Sequence, residues 1–193
     1  MRLVLASSSP RRRELLISAG FTFDVMAADI DETVHSGEVP EVYVRRMAVE
    51  KADAVRARCD GRPVLSADTI VVVDADVLGK PVDDAAATGM LTRLSGREHR
   101  VLTGVALWWP GVAEPDVAVE RTRVWMRVIP PEEIDAAVRS GEPRDRAGAY
   151  AIQGFASRWV TRIDGAYGTV VGLPIEAVDR LLRARAGGAY PIR

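Results

Sequence analysis

The chain contains a single cysteine, Cys59, and only two histidines, His35 and His99. One cysteine excludes an internal disulfide and fits a reducing compartment, so a cytoplasmic location is expected. Two histidines are too few for a multi-histidine zinc cluster, and each reads as a surface residue. No apolar run approaches the roughly 20 residues of a membrane span. The "LVLA" after Arg2 is also too short for a secretory h-region. Positive charge is not in excess: Lys+Arg 26 against Asp+Glu 27 gives a formal net charge of -1. That balance argues against a nucleic-acid partner. Neither a G-x-x-x-x-G-K-[ST] loop nor a G-x-G-x-x-G fingerprint occurs, so two common phosphate cradles are excluded. There is no internal repeat, low-complexity tract or linker.

What is present is ordinary globular material. With 193 residues, 48% hydrophobic and 27% charged, the chain can bury one well-formed core, and a single domain over 1–193 is expected. Arg2 to Ala6 reads as a buried strand and Pro10 to about Ala19 as a helix stopped by Gly20. "FTFDVMA" alternates like a strand, and "ADIDETVHSGEVP" reads as an acidic loop. A helix is expected from Pro40 to about Arg58. "PVLSADTIVVVDADVLGKP" reads as a hairpin turning at Asp-Ala-Asp. A helix capped by Asp83 follows, then two β-rich stretches split by a Pro/Gly loop, and a short helix after Pro130. A Gly-rich stretch, another β-like stretch and a helix from Pro174 to about Ala186 complete the chain. Strands and helices do not strictly alternate, so a mixed sheet flanked by helices is expected.

Several residues do not fit a bland reading. In "LASSSPRRRELL", Ser9 suits a helix N-cap and Pro10 its first position, which puts Arg11, Arg12 and Arg13 in the opening turn. Cations there are unfavourable by roughly 0.3–1 kcal/mol each, a conflict that a bound anion would relieve. Lys51 falls inside the apolar stripe of Val44, Ala48 and Val55, where it must either snorkel to water or meet an anion. Asp68 stands in "VLSADTIVVV", apolar on both faces. It is either a strand-end carboxylate bonded to backbone amides, or a metal ligand or general base. The acidic loop supplies a second carboxylate, with Glu32 preferred over Asp29 and Asp31. Lys80 lies in a tight "GKP" connection, and Gln153 in "AGAYAIQG" could serve a turn or read a base edge. Cations beside hard-oxygen carboxylates suit a phosphoanhydride bound with Mg²⁺. Cys59 and the four tryptophans read as structural.

With "LASSSPRR", "EKA", "SADTIV", "GKP", "LSGREHRVLTGV", "DRAGAYAIQG" and "GTVVGLP" in order, the sequence resembles the Maf-like nucleotide pyrophosphatases over nearly its whole length. The resemblance implies an α/β fold of the inosine-triphosphatase type, with two lobes around a deep cleft. It implies cleavage of a nucleoside triphosphate to monophosphate and pyrophosphate with a divalent cation (Mg²⁺, Mn²⁺ or Co²⁺). The family's catalytic aspartate matches Asp68, which with Glu32 would hold the metal. Its phosphate-handling basic residues match Arg11, Lys51 and Lys80, and Ser8, Arg12, Thr69 and Gln153 complete the expected substrate-binding set. Arg11, Thr69 and Gln153 resemble the dTTP/UTP group rather than the 7-methyl-GTP group. Ser66 departs from the family's usual glycine. Similar proteins are linked to arrest of septum formation, so a non-catalytic nucleotide-binding regulator is the alternative reading. The expected partner is the nucleotide, with no nucleic acid or membrane, and a homodimer is left open.

Overall fold

A computed structural model describes residues 2–185. The expected domain limits at 1 and 193, and the end of the last helix at Ala186, lie outside the described residues. The elements run β1 (Leu3–Leu5), α1 (Pro10–Ser18), β2 (Phe23–Val25), α2 (Pro40–Arg56), β3 (Val64–Val73) and β4 (Asp76–Leu78). They continue with α3 (Asp84–Leu94), β5 (Glu98–Trp108), β6 (Asp116–Met126) and α4 (Pro131–Arg139). Three 3₁₀ turns, Glu142–Asp145, Ala147–Ala149 and Phe155–Arg158, precede β7 (Val160–Asp164), α5 (Tyr167–Val171) and α6 (Ile175–Arg185). The strands form a seven-stranded sheet in the order β2-β1-β3-β5-β6-β7, with β4 on β3. β1 is parallel to β2 and β3, whereas β3–β4 and β6–β7 are antiparallel. The expected mixed α/β architecture is therefore observed. The short helix α5 was not anticipated, because its Val170 and Val171 favour strand on propensity alone.

The described residues divide into two compact units. Among the described residues the first comprises 2–68, 103–120 and 172–185; the second comprises 69–102 and 121–171. In the first unit, the two faces of β1 are buried against different helices. Leu3 and Leu5 join Leu65, Val105 and Leu107 under Leu16 of α1 and Val178 and Leu182 of α6. Val4 and Ala6 join Val64 and Trp108 under Ala52 and Val55 of α2. Double burial explains why "LVL" is continuously apolar rather than alternating. In the second unit, Val71, Val73, Val101, Val124 and Met126 pack against Ala87, Leu91 and Leu94 of α3 and Ile134, Ala137 and Val138 of α4.

Candidate active site

The site begins with how α2 lies on the sheet. Its Val44, Met47, Ala48, Lys51, Ala52 and Val55 are all buried. Two contacts set its position. Gly104 of β5 has no side chain, and a Cβ there would collide with the Val44 carbonyl. The Ser66 hydroxyl of β3 donates to the Ala48 carbonyl at 2.5 Å. Ser66 and Asp68 lie on one face of the strand, and Ala48 and Lys51 on one face of the helix. The bond one turn earlier therefore brings Lys51 Nζ to Asp68 Oδ1 at 2.6 Å. Lys51 does not snorkel: it is 8% exposed and Asp68 6%. Each would be costly to bury alone. The same ammonium meets Glu32 Oε1 at 2.7 Å, so one lysine holds both expected carboxylates.

The loop bearing Glu32 is held by α2 as well. The Tyr43 hydroxyl donates to the Glu32 carbonyl at 2.8 Å. Arg46 donates to the Thr33 carbonyl at 3.0 Å and to both Glu38 carboxylate oxygens at 2.7 Å. Burial, then the negative charge of Asp68 and Glu32, raises the Tyr43 phenol above its ordinary range. Asp31 instead accepts from the Thr33 amide and hydroxyl at 2.9 and 2.6 Å, a local turn. Sequence reasoning missed Tyr43 and Arg46. Their signal is position, one to two turns before Lys51 on the same helix.

At the other expected contact, Ser9 and Pro10 start α1 as anticipated, with Ser9 Oγ accepting from the Arg12 amide at 3.5 Å. Arg12 braces this turn: Nη1 donates to Ser7 Oγ at 3.1 Å and Nε to the Gly172 carbonyl at 2.8 Å. Burial lowers the Arg12 guanidinium from its ordinary range, opposed by the charges of Asp68 and Glu32. Ser8 is exposed. Arg13 is exposed, whereas Arg11 is partly buried and its Nη1 is a buried donor without a partner. The three consecutive arginines thus have three different environments.

The second unit carries Thr69, Lys80 and Gln153. Thr69 follows Asp68 on β3 and is partly buried. Lys80 Nζ lies 2.8 Å from Asp145 Oδ1 in an exposed pair, and the Gly148 amide donates to the Gly79 carbonyl at 3.0 Å. Gly148 has φ +66, and a Cβ there would collide with Val71, so the Ala147–Ala149 turn sits flush on β3. Gln153 is exposed in the turn before Phe155–Arg158. Glu142 fixes that turn by accepting from the Phe155 amide at 3.1 and 3.3 Å, against Gly154, where a Cβ would overlap the carboxylate.

His99 is not a surface residue. It is 2% exposed on β5, with Nε2 2.7 Å from the Tyr150 hydroxyl, and burial pushes it down to about 4. Its strand residues alternate with apolar ones that face the core, which outweighs the usual preference for water. His35 is exposed. Cys59 is buried and donates to the Val55 carbonyl at 3.1 Å, and Trp108 and Trp159 are buried in the packed interior, as their structural reading requires.

Asp68 and Glu32 suit a hard divalent cation, which takes one or two carboxylates and fills its remaining positions with water and substrate phosphates. Among the described residues there is no cluster of three or more His, Cys, Asp or Glu able to hold a metal without such help. No helix among the described residues is long and apolar enough to cross a membrane.

The chain is 51% identical over 187 residues to a dTTP/UTP pyrophosphatase of Koribacter versatilis, covering 97% of this chain and 95% of the relative. It is 51% identical over 191 residues to a dTTP/UTP pyrophosphatase of Myxococcus xanthus, covering 99% and 95%. A distant likeness links it to a solved nucleoside-triphosphatase/dITP/XTP pyrophosphatase from Mycobacterium abscessus, 20% identical over 98% of both chains with a TM-score of 0.45. The Maf-like protein family matches residues 2–185, and the chain belongs to that family.

Proposed function

We propose that this protein is a nucleoside triphosphate pyrophosphatase that cleaves the α–β phosphoanhydride of dTTP and UTP. The observation that carries the reading is the buried Lys51 ammonium holding Asp68 and Glu32 at 2.6 and 2.7 Å. The names of relatives that are half identical over nearly the whole chain support the substrate class. In this reading Asp68 accepts the proton of the water that attacks the α-phosphorus. The bond to the bridging oxygen breaks, and its electron pair leaves with pyrophosphate. Asp68 and Glu32 would hold a divalent cation (Mg²⁺, Mn²⁺ or Co²⁺), whose charge neutralises phosphate oxygens when bound.

Lys51, Arg11 and Lys80 neutralise the polyphosphate, while the Ser7–Ser9 turn offers the amides of a helix N-terminus, with Ser8 exposed to the anion. Arg12 holds that turn in place through Ser7 and Gly172. Thr69 and Gln153 shape and read the base, Gln153 from a turn fixed by Glu142. The lone buried thiol and the nucleotide substrate together favour a cytoplasmic protein without a nucleic-acid partner.

A panel of canonical and modified nucleoside triphosphates, assayed for pyrophosphate and orthophosphate with each of the three cations, tests the reading. Equimolar monophosphate and pyrophosphate, fastest from dTTP and UTP, is expected. Nucleotide binding without hydrolysis would overturn the enzyme in favour of a regulator, and orthophosphate release would overturn the site of cleavage.

A further inference from the structure

Residues 144–146 are three consecutive charged side chains with unequal fates. Arg144 pairs with Asp84 at 3.3 Å, and Asp145 pairs with Lys80 at 2.8 Å. Both are exposed. Arg146, the least exposed of the three, has a buried Nε that meets no acceptor. Burial accordingly lowers its guanidinium from the ordinary range, with no carboxylate opposing the shift.

The backbone around Arg146 is well fixed. Its amide donates to the Pro143 carbonyl at 3.1 Å and its carbonyl accepts from Ala149 at 3.0 Å. Two residues on, Gly148 is bonded to Gly79 beside Lys80 and pressed against Val71. The backbone that carries the unpartnered donor is therefore held in place. A buried charged donor without a partner is unfavourable, and folded proteins satisfy nearly all such groups.

Among the described residues, the arginines with a buried guanidinium nitrogen lacking a partner are Arg11 and Arg146. Arg11 opens α1 in the first unit. Arg146 lies in the second unit, next in sequence to the carboxylate that holds Lys80. A planar guanidinium is built for a two-oxygen anion such as phosphate. We propose that Arg146 is a second phosphate-binding arginine, working with Lys80 on the β- and γ-phosphates that leave as pyrophosphate. The proposal rests on the pyrophosphatase reading for its ligand, but its test does not need turnover.

Binding of inorganic pyrophosphate and of dTMP to the intact protein is measured calorimetrically for wild type, Arg146→Ala and Arg146→Lys. Loss of the guanidinium weakens pyrophosphate about 10- to 100-fold, and lysine, which keeps the charge but not the planar fork, recovers only part of the loss. dTMP binding changes less than about 2-fold, because the contact is to the departing phosphates. The melting temperature of Arg146→Ala does not fall, because no folded-state partner is lost. Pyrophosphate binding unchanged in both variants, or dTMP weakened as much as pyrophosphate, would overturn the proposal. Arg146-dependent pyrophosphate binding in a protein that hydrolyses no triphosphate would uphold this inference and refute the enzymatic reading. Normal hydrolysis with Arg146→Ala at wild-type affinity would do the reverse.

Discussion

Replacing Lys51 with methionine strands two carboxylates at once, and the structure says how unequal the two losses are. The Lys51 and Asp68 side chains are 10% and 9% exposed, whereas Glu32 is 48% exposed. Glu32 turns to water at little cost, and its pair is worth at most about 1 kcal/mol. Asp68 cannot turn away, and an unpaired buried charge costs about 3–5 kcal/mol. The Arg12 guanidinium remains within reach electrostatically, which places the loss toward the lower end of that range. For a chain of this length the melting temperature of Lys51→Met falls by roughly 6–12 °C. Removing the stranded charge reverses much of this, so Lys51→Met/Asp68→Asn is more stable than Lys51→Met. Asp68→Asn alone is the fourth corner of the cycle, and the coupling energy is about 2–3 kcal/mol. Thermal and urea unfolding followed by circular dichroism reads all four proteins. A Lys51→Met protein as stable as wild type, or strictly additive changes, would refute the buried pair as a stabilising contact between α2 and β3.

Gly104→Ala pushes a methyl group into the Val44 carbonyl and lowers stability by about 1–3 kcal/mol, measured by urea unfolding, with activity falling as α2 shifts. Arg46→Ala frees the loop bearing Glu32 from Thr33 and Glu38. Turnover then drops about 10-fold with little change in melting temperature, and a higher concentration of divalent cation recovers part of it. His99 is held at about 4 by burial, while in the unfolded chain it titrates near its ordinary 6.5. The unfolded state therefore takes a proton that the folded state refuses, and stability falls by about 3 kcal/mol as pH drops from about 6.5 to about 4. His99→Gln flattens the pH–stability curve across that window and leaves it unchanged above it.

The segments that local pattern decides were legible in the sequence. The capped starts at Ser9 and Asp83, the hairpin at Asp74–Asp76, whose turn the structure closes over residues 74–75, and the acidic loop from Ala28 all follow from capping and turn chemistry. Lys51 and Asp68 were legible as anomalies, each a charge where the pattern demands burial. Their mutual contact was not, because a helix face and a strand face carry no record of which charge meets which. The same limit hid the Glu32 loop's attachment to Tyr43 and Arg46, and the Glu142 contact that shapes the Gln153 turn. Both depend on side chains reaching 8 to 13 residues along the chain, beyond any helical or strand period. His99 was misread because composition assigns histidine to the surface, whereas strand alternation turns it inward. The opening arginines differ one by one: Arg12 bonds Ser7 and Gly172, Arg13 faces water, and Arg11 has a buried Nη1 without a partner, the donor that the proposed function gives to the substrate.

In the proposed reaction Asp68 takes the proton from the water that attacks the α-phosphorus, in a site whose charge Lys51 balances. The most direct measurement is pyrophosphate release from dTTP by wild type and by Asp68→Asn, each shown to be folded by circular dichroism. The wild type should release pyrophosphate with an equal amount of dTMP, and Asp68→Asn should lose at least about 100-fold in kcat with its fold intact. A folded Asp68→Asn protein releasing pyrophosphate at near wild-type rate would contradict the assignment.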